Sequence, residues 1–152
     1  MEFGKRIATI LMVDDSVTDV MLVREALEDS TIEHRLFVME DGELAMAFLN
    51  RQGEHHNAPR PDFILLDLNM PTKNGLEVLA EMKTNERLKD IPIVVFTTSE
   101  AKSDVMKCYG NFANCYVKKP MDFEAFAEAV RAIAHFWLTI ATLPPNSPEY
   151  GN

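Results

Sequence analysis

The chain has 152 residues, 47% hydrophobic and 26% charged, a mixture that suits one globular domain with a single core. A formal net charge of −9 at pH 7 and a pI of about 4.9 argue against a nucleic-acid surface, which needs stripes of Lys and Arg. No apolar run approaches the roughly 20 residues that span a bilayer, and the opening MEFGKRIATILMV is too short and too abruptly polar for a signal peptide.

In chain order, RIATILMVD (Arg6–Asp14) predicts a buried strand ending in acid. Val20, Val23 and Leu27 then recur at helical spacing to about Glu28. HRLFVME (His34–Glu40) predicts a second strand, followed by a helix with Leu44, Ala47 and Phe48 on its apolar face. EHHNAPRP (Glu54–Pro61) is polar and broken by proline, hence a loop, and its His55-His56 pair reads as solvated rather than metal-binding. DFILLDL (Asp62–Leu68) is the third strand, and Leu76, Leu79 and Met82 mark the third helix.

The fourth strand is IPIVVFTTS (Ile91–Ser99), rich in β-branched residues, and Val105, Cys108 and Tyr109 belong to a fourth helix ending near Gly110. NCYVKKP (Asn114–Pro120) is the fifth strand. A long last helix carries Phe126, Val130, Ile133, Trp137 and Ile140 on one stripe, and the proline-rich end reads as a loosely held tail. Cys108 and Cys115 are too few for a disulfide framework and lack zinc-ligand company; they read as small buried hydrophobes in a reducing cytoplasm. Five near-continuous apolar strands alternating with helices imply an α/β, doubly wound parallel sheet covered on both faces.

In such sheets ligands gather outside the carboxyl ends of the strands. There the chain places Asp14-Asp15, Asp67, Thr97-Thr98 and Lys118-Lys119. Three converging carboxylates resist ionising together unless a cation relieves them, and oxygen-only donors suit Mg²⁺, with Mn²⁺ as an alternative. The expected metal ligands are Asp14, Asp15, Asp67 and the backbone carbonyl of Asn69. Asp14, Asp15 and Ser16 also suit a helix N-cap, so the pair has two readings when taken alone. Asp67 follows the most apolar strand and is the best-placed nucleophile for attack on phosphorus, which gives an aspartyl phosphate. Lys119 supplies a positive charge and Thr97 a hydroxyl for the phosphoryl oxygens. Thr98 and Lys118 read as a strand residue and a solvated cation. A cis bond before Pro120 would turn Lys119 inward; the residues do not decide it.

The pair Asp14-Asp15, LLDLNMPTKNG around Asp67, Thr97 and YVKKP with Lys119 together resemble the CheY-like receiver domains of two-component response regulators. The resemblance runs from residue 6 to about 140, and we delimit a domain of residues 6–143 and a tail of 144–152. It implies a flavodoxin-like fold of five strands in the order 2-1-3-4-5 with five helices. It also implies Mg²⁺-dependent transfer from a sensor histidine kinase or a small acyl phosphate to Asp67, a switch through Thr97 and Tyr116, and a Gly75 required for an unusual φ. By the same resemblance Thr98 stands where a smaller residue is usual, and Asn69 and Ser99 stand where side chains tune hydrolysis of the phosphoryl group. The EHHNAPRP loop, FTTSEAKSDV and HFWLTIATLPP look like response regulators that partner phytochrome-type light-sensing kinases.

At about 100° per residue Leu138 falls off the core stripe of the last helix. With Phe136, Leu143 and Tyr116 it suggests a partner face and a homodimer through that helix. The 152 residues hold no separate effector, so output is expected through binding or phosphate flow, in a cytoplasmic protein without nucleic-acid or membrane partners. Three competing readings are weaker. A flavin carrier would need a phosphate-binding loop where Asp14-Asp15 stands. A phosphatase resembling the haloacid dehalogenase group would need an acid at Asn69. A receiver-like scaffold working without phosphorylation would not need the full set of acids, Thr97 and Lys119.

Overall fold

The computed structural model describes residues 7–145. Five strands, β1 (Ala8–Val13), β2 (His34–Met39), β3 (Phe63–Leu66), β4 (Ile93–Thr97) and β5 (Cys115–Lys118), form one sheet in the order β2-β1-β3-β4-β5. Every neighbouring pair is parallel. Five helices connect or follow them: α1 (Val17–Glu28), α2 (Gly42–Leu49), α3 (Gly75–Lys83), α4 (Lys102–Gly110) and α5 (Phe123–His135). Arg6, placed in the first strand by the sequence, and residues 146–152 of the tail lie outside the described residues.

Successive strand residues point to opposite faces, so a sheet covered on both sides needs apolar side chains at every position. Leu11, Val13, Ile64, Leu66, Ile93 and Val95 meet Ala45, Phe48 and Leu49 of α2, Val78, Leu79 and Met82 of α3, and Cys108 of α4. Ile10, Met12, Phe63, Leu65, Val94 and Phe96 meet Val23 and Leu27 of α1 and Phe126, Val130 and Ile133 of α5. The unbroken apolar runs thus serve two cores at once. Burial lifts the Cys108 thiol to about 11, so it stays protonated; Cys115 is only half-buried.

Several local expectations are corrected. Of the expected apolar face of α2, Phe48 is buried and Ala47 half-buried, but Leu44 is 40% exposed; Ala45, Met46 and Leu49 complete the buried face, which is rotated by about one residue. His55 is only partly solvated: it lies half-buried in a short 3₁₀ turn, Gly53–His55, with its ring edge-on to Phe48 at 5.6 Å, while His56 is exposed.

The last helix departs most. Beyond α5 the chain runs as a π turn over Phe136–Ile140. A π turn advances each residue by roughly 80° rather than about 100°. Leu138 therefore swings onto the core beside Trp137, and Ile140, expected on the core stripe, is 63% exposed.

Candidate functional site

Parallel strands bring their carboxyl ends to one rim, and the register sets which ends are adjacent. Val13 pairs with Leu66, and Thr97 with Lys118. The ladder continues one step past the strands: the Asp67 N–H donates to the Val13 carbonyl at 3.0 Å, and the Lys119 N–H to the Thr97 carbonyl at 2.7 Å. With the Asp14 N–H on the Met39 carbonyl at 3.0 Å, Asp14, Asp67 and Lys119 are all fixed by backbone bonds before any side-chain contact is made.

Carboxylate oxygens of Asp14, Asp15 and Asp67 lie within 4.8 Å of one another. Asp14 and Asp67 are buried, 2% and 8% exposed, while Asp15 is exposed. Asp14 Oδ1 accepts the Ser16 N–H at 2.9 Å, and Asp67 Oδ1 accepts the Leu68 N–H at 2.8 Å. Ser16 caps α1 through the Asp19 N–H, so the two readings of this turn coexist: Ser16 caps while the acids face the rim.

Lys119 is 4% exposed. Its Nζ donates to Asp14 Oδ2 at 2.7 Å and Asp19 Oδ2 at 2.6 Å, and stands 3.7 Å from Asp67 Oδ2. No peptide bond among the described residues is cis, so the inward turn of Lys119 comes from the strand end and its acid partners rather than from a cis Pro120.

Burial disfavours the Lys119 ammonium, but its bonds to Asp14 and Asp19 and the charges of Asp14 and Asp67 outweigh this and hold its pKa above the usual 10.5. Its pairing therefore adds stability below that value, lost as pH rises through the folded pKa. Burial likewise pushes Asp14 up, against the pull of Lys119 and the Ser16 N–H. Its ionised form is held at a cost that acidification through its folded pKa relieves. Both partners shift upward, Asp14 chiefly through burial with the Asp67 charge a lesser cause, and Lys119 through its acid partners.

These donors fit a hard divalent cation: all are oxygens, they converge from two loops, and Asp14 and Asp67 have little water to share their charge. Asn69 is exposed on the loop after Asp67, with its backbone near enough in sequence to join them.

Thr97 is fully buried at the end of β4, and its Oγ1 accepts the Ser99 N–H at 3.4 Å. The Ser99 carbonyl in turn accepts the Tyr116 hydroxyl at 3.0 Å, so Thr97 and Tyr116 are linked through one residue. Ser99 Oγ donates to Asp104 Oδ2 at 2.6 Å, which ties this loop to α4. Thr98 lies past the strand and is exposed; Lys118 is exposed and paired with Glu100 at 2.6 Å.

Gly75 is needed for a different reason from the one expected. Its φ is not left-handed; a Cβ there would stand 2.0 Å from the Asp67 carbonyl oxygen. Of the partner-face residues, Phe136 is exposed, Tyr116 and Leu143 are half-buried, and Leu138 packs against its own core.

Two further participants carry no mark in the sequence, and a third, Ser99, does more than its position implies. Asp19 sits three residues after Ser16, the spacing of an ordinary capping acid, which masks its bond to Lys119. Ser99 was noted only as a residue that tunes hydrolysis. Gly42 donates its N–H to the Lys73 carbonyl at 3.0 Å, with that oxygen 2.2 Å from where a Cβ would be, bracing the loop after Asp67.

The profile of the response regulator receiver domain matches residues 10–131. The response regulator Rcp1 of Synechocystis sp. is 51% identical over 135 residues, covering 89% of this chain and 92% of that protein. The crystal structure of the Mn(2+)-bound form of Rcp1 superposes with a TM-score of 0.87 at 50% identity, over 91% of this chain and 99% of the other. The crystal structure of the phosphorylated cyanobacterial phytochrome response regulator RcpA gives 0.90 at 44% identity, over 92% of this chain and 100% of the other.

Proposed function

The chain belongs to the receiver domain family of response regulators, and from that premise we propose that Asp67 takes a phosphoryl group from a sensor histidine kinase in a Mg²⁺-dependent reaction. The observation that carries this reading is the rim itself: a buried carboxylate beside two others, with an ammonium 3.7 Å away.

Asp14, Asp15, Asp67 and the Asn69 carbonyl would hold the cation. When bound, it offsets their charge and draws electron density from the phosphoryl oxygens. Asp67 forms the new O–P bond as the P–N bond to the kinase histidine, or the P–O bond of a small acyl phosphate, breaks. Lys119 has three N–H donors, of which Asp14 and Asp19 use two, so the third is free for a phosphoryl oxygen. Thr97 offers its hydroxyl, and turning it away takes the acceptor from the Ser99 N–H and disturbs the Tyr116 bond. Two alternative arrangements of this link, biased by the new charge, constitute the signal. The same rim supports self-catalysed phosphorylation and hydrolysis.

Similarity to RcpA, described as a phytochrome response regulator, favours a phytochrome-type kinase as donor and a cytoplasmic setting. No helix among the described residues is long and apolar enough to cross a membrane. A phytochrome-type histidine kinase carrying labelled phosphate should pass the label to this chain within minutes in Mg²⁺ and not in EDTA. Label that stays on the kinase in Mg²⁺ removes that partner.

The homodimer through the last helix is part of the same proposal. With Leu138 turned inward, its apolar surface consists of Phe136 and Ile140 on the π turn, with Tyr116 and Leu143 half-buried. Light scattering at micromolar concentration should give twice the chain mass, and a monomer with and without a phosphoryl mimic excludes the dimer.

A further inference from the structure

We propose that Asp19 is a positioning residue for the cation: it is the second counter-ion that lets Lys119 release its hold on Asp14. The inference rests on the divalent-cation reading of the rim. Lys119 is almost fully buried, and leaving a buried ammonium without an acid partner is strongly unfavourable. One of its two close partners, Asp14, is also one of the three carboxylates that would hold the cation. Sharing Asp14 with a cation weakens its bond to Lys119. The ammonium then depends on Asp19, whose Oδ2 lies 2.6 Å away and which is not among the three converging carboxylates.

Local geometry frees Asp19 for this work. In a capping box the acid at this position of the first turn bonds back to the N-cap N–H. Here the Ser16 N–H is already taken by Asp14 Oδ1, and the Asp19 carboxylate reaches across to the end of β5 instead. A plain helix-dipole role would need only a carboxylate near the turn, with no bond 100 residues away in sequence.

With Asp19 removed, Lys119 holds Asp14 as its remaining close partner, and the cation must compete for that carboxylate. Asp19→Asn should raise the dissociation constant for Mg²⁺ about tenfold, the loss of one charge-assisted bond. The same substitution in a Lys119→Gln background should change it less than about twofold, because no ammonium then competes. Binding is read by calorimetry on the intact chain, with Asp19→Ser run beside Asn and melting curves checking that each variant is folded.

An equal loss in both backgrounds means that Asp19 acts only through its charge, and no loss in either means that it does nothing for the cation; both overturn the proposal. A wild-type chain that binds no Mg²⁺ overturns the cation reading itself and the proposal with it.

Discussion

Asp67→Asn takes up no phosphoryl group. Incubated with acetyl phosphate and Mg²⁺, the wild-type chain gains one phosphoryl group by intact mass, and the variant and a chelated wild-type sample gain none. The reason is chemical rather than steric. An amide has no anionic oxygen to form the O–P bond, and its nitrogen is a poor nucleophile, so an otherwise unchanged pocket loses the reacting atom. The neighbouring acids do not substitute. Asp14 has one oxygen on the Ser16 N–H and the other on Lys119, and Asp15 is exposed.

The variant should melt at or above the wild-type temperature without metal, since it removes one of three carboxylates gathered within 4.8 Å. That separates a lost nucleophile from a lost fold. A phosphoryl group that survives in Asp67→Asn would move the chemistry to another side chain and end the present account.

The fold and the gathering of Asp14, Asp15, Asp67 and Lys119 on one rim were legible because each rests on a strong, local signal. A two-faced parallel sheet writes itself as unbroken apolar runs, and a strand end is marked by the first polar residue. DFILLDL shows this directly: Phe63–Leu66 forms β3, and Asp67 is the residue that follows it. What escaped depends on relations between distant segments or on departures from regular geometry.

Leu138 and Ile140 were misplaced because a uniform helical advance cannot show a π turn. Thr72 is held at φ 67, unfavourable for a β-branched residue, and no letter pattern marked it. Asp19 carries an ordinary capping spacing, and only the fold brings it to Lys119. The close approaches at Gly42 and Gly75 are properties of backbone packing: a glycine in sequence signals freedom of φ, whereas here it signals want of room.

Gly75→Ala tests that last point and should be the most destabilising alanine substitution among the described glycines. The added carbon would lie 2.0 Å from the Asp67 carbonyl oxygen, 2.8 Å from Leu68 Cα and 2.9 Å from the Asp67 carbonyl carbon. All three are backbone atoms, so no side chain can swing aside, and the start of α3 or the end of β3 must shift. Asn74 and Glu77 hold the helix start in a reciprocal capping box, and the Gly75 N–H donates to the Leu68 carbonyl at 3.0 Å, so the helix cannot easily retreat.

Overpacking of this kind costs about 3 kcal/mol, at the upper end of the usual range. For a domain of this size that lowers the melting temperature by about 10 °C. Because the displaced backbone belongs to Asp67 itself, the carboxylate moves with it. A misplacement near 1 Å lowers the phosphorylation rate by about a hundredfold.

Gly110 provides the contrast. It ends α4, and a Cβ there meets nothing within 4 Å, so Gly110→Ala should leave stability unchanged or raise it by about 0.5 kcal/mol and leave phosphorylation untouched. Equal melting temperatures for the two alanine variants would mean that the loop after Asp67 yields freely, and that the rim is not held by the backbone contact assigned to Gly75.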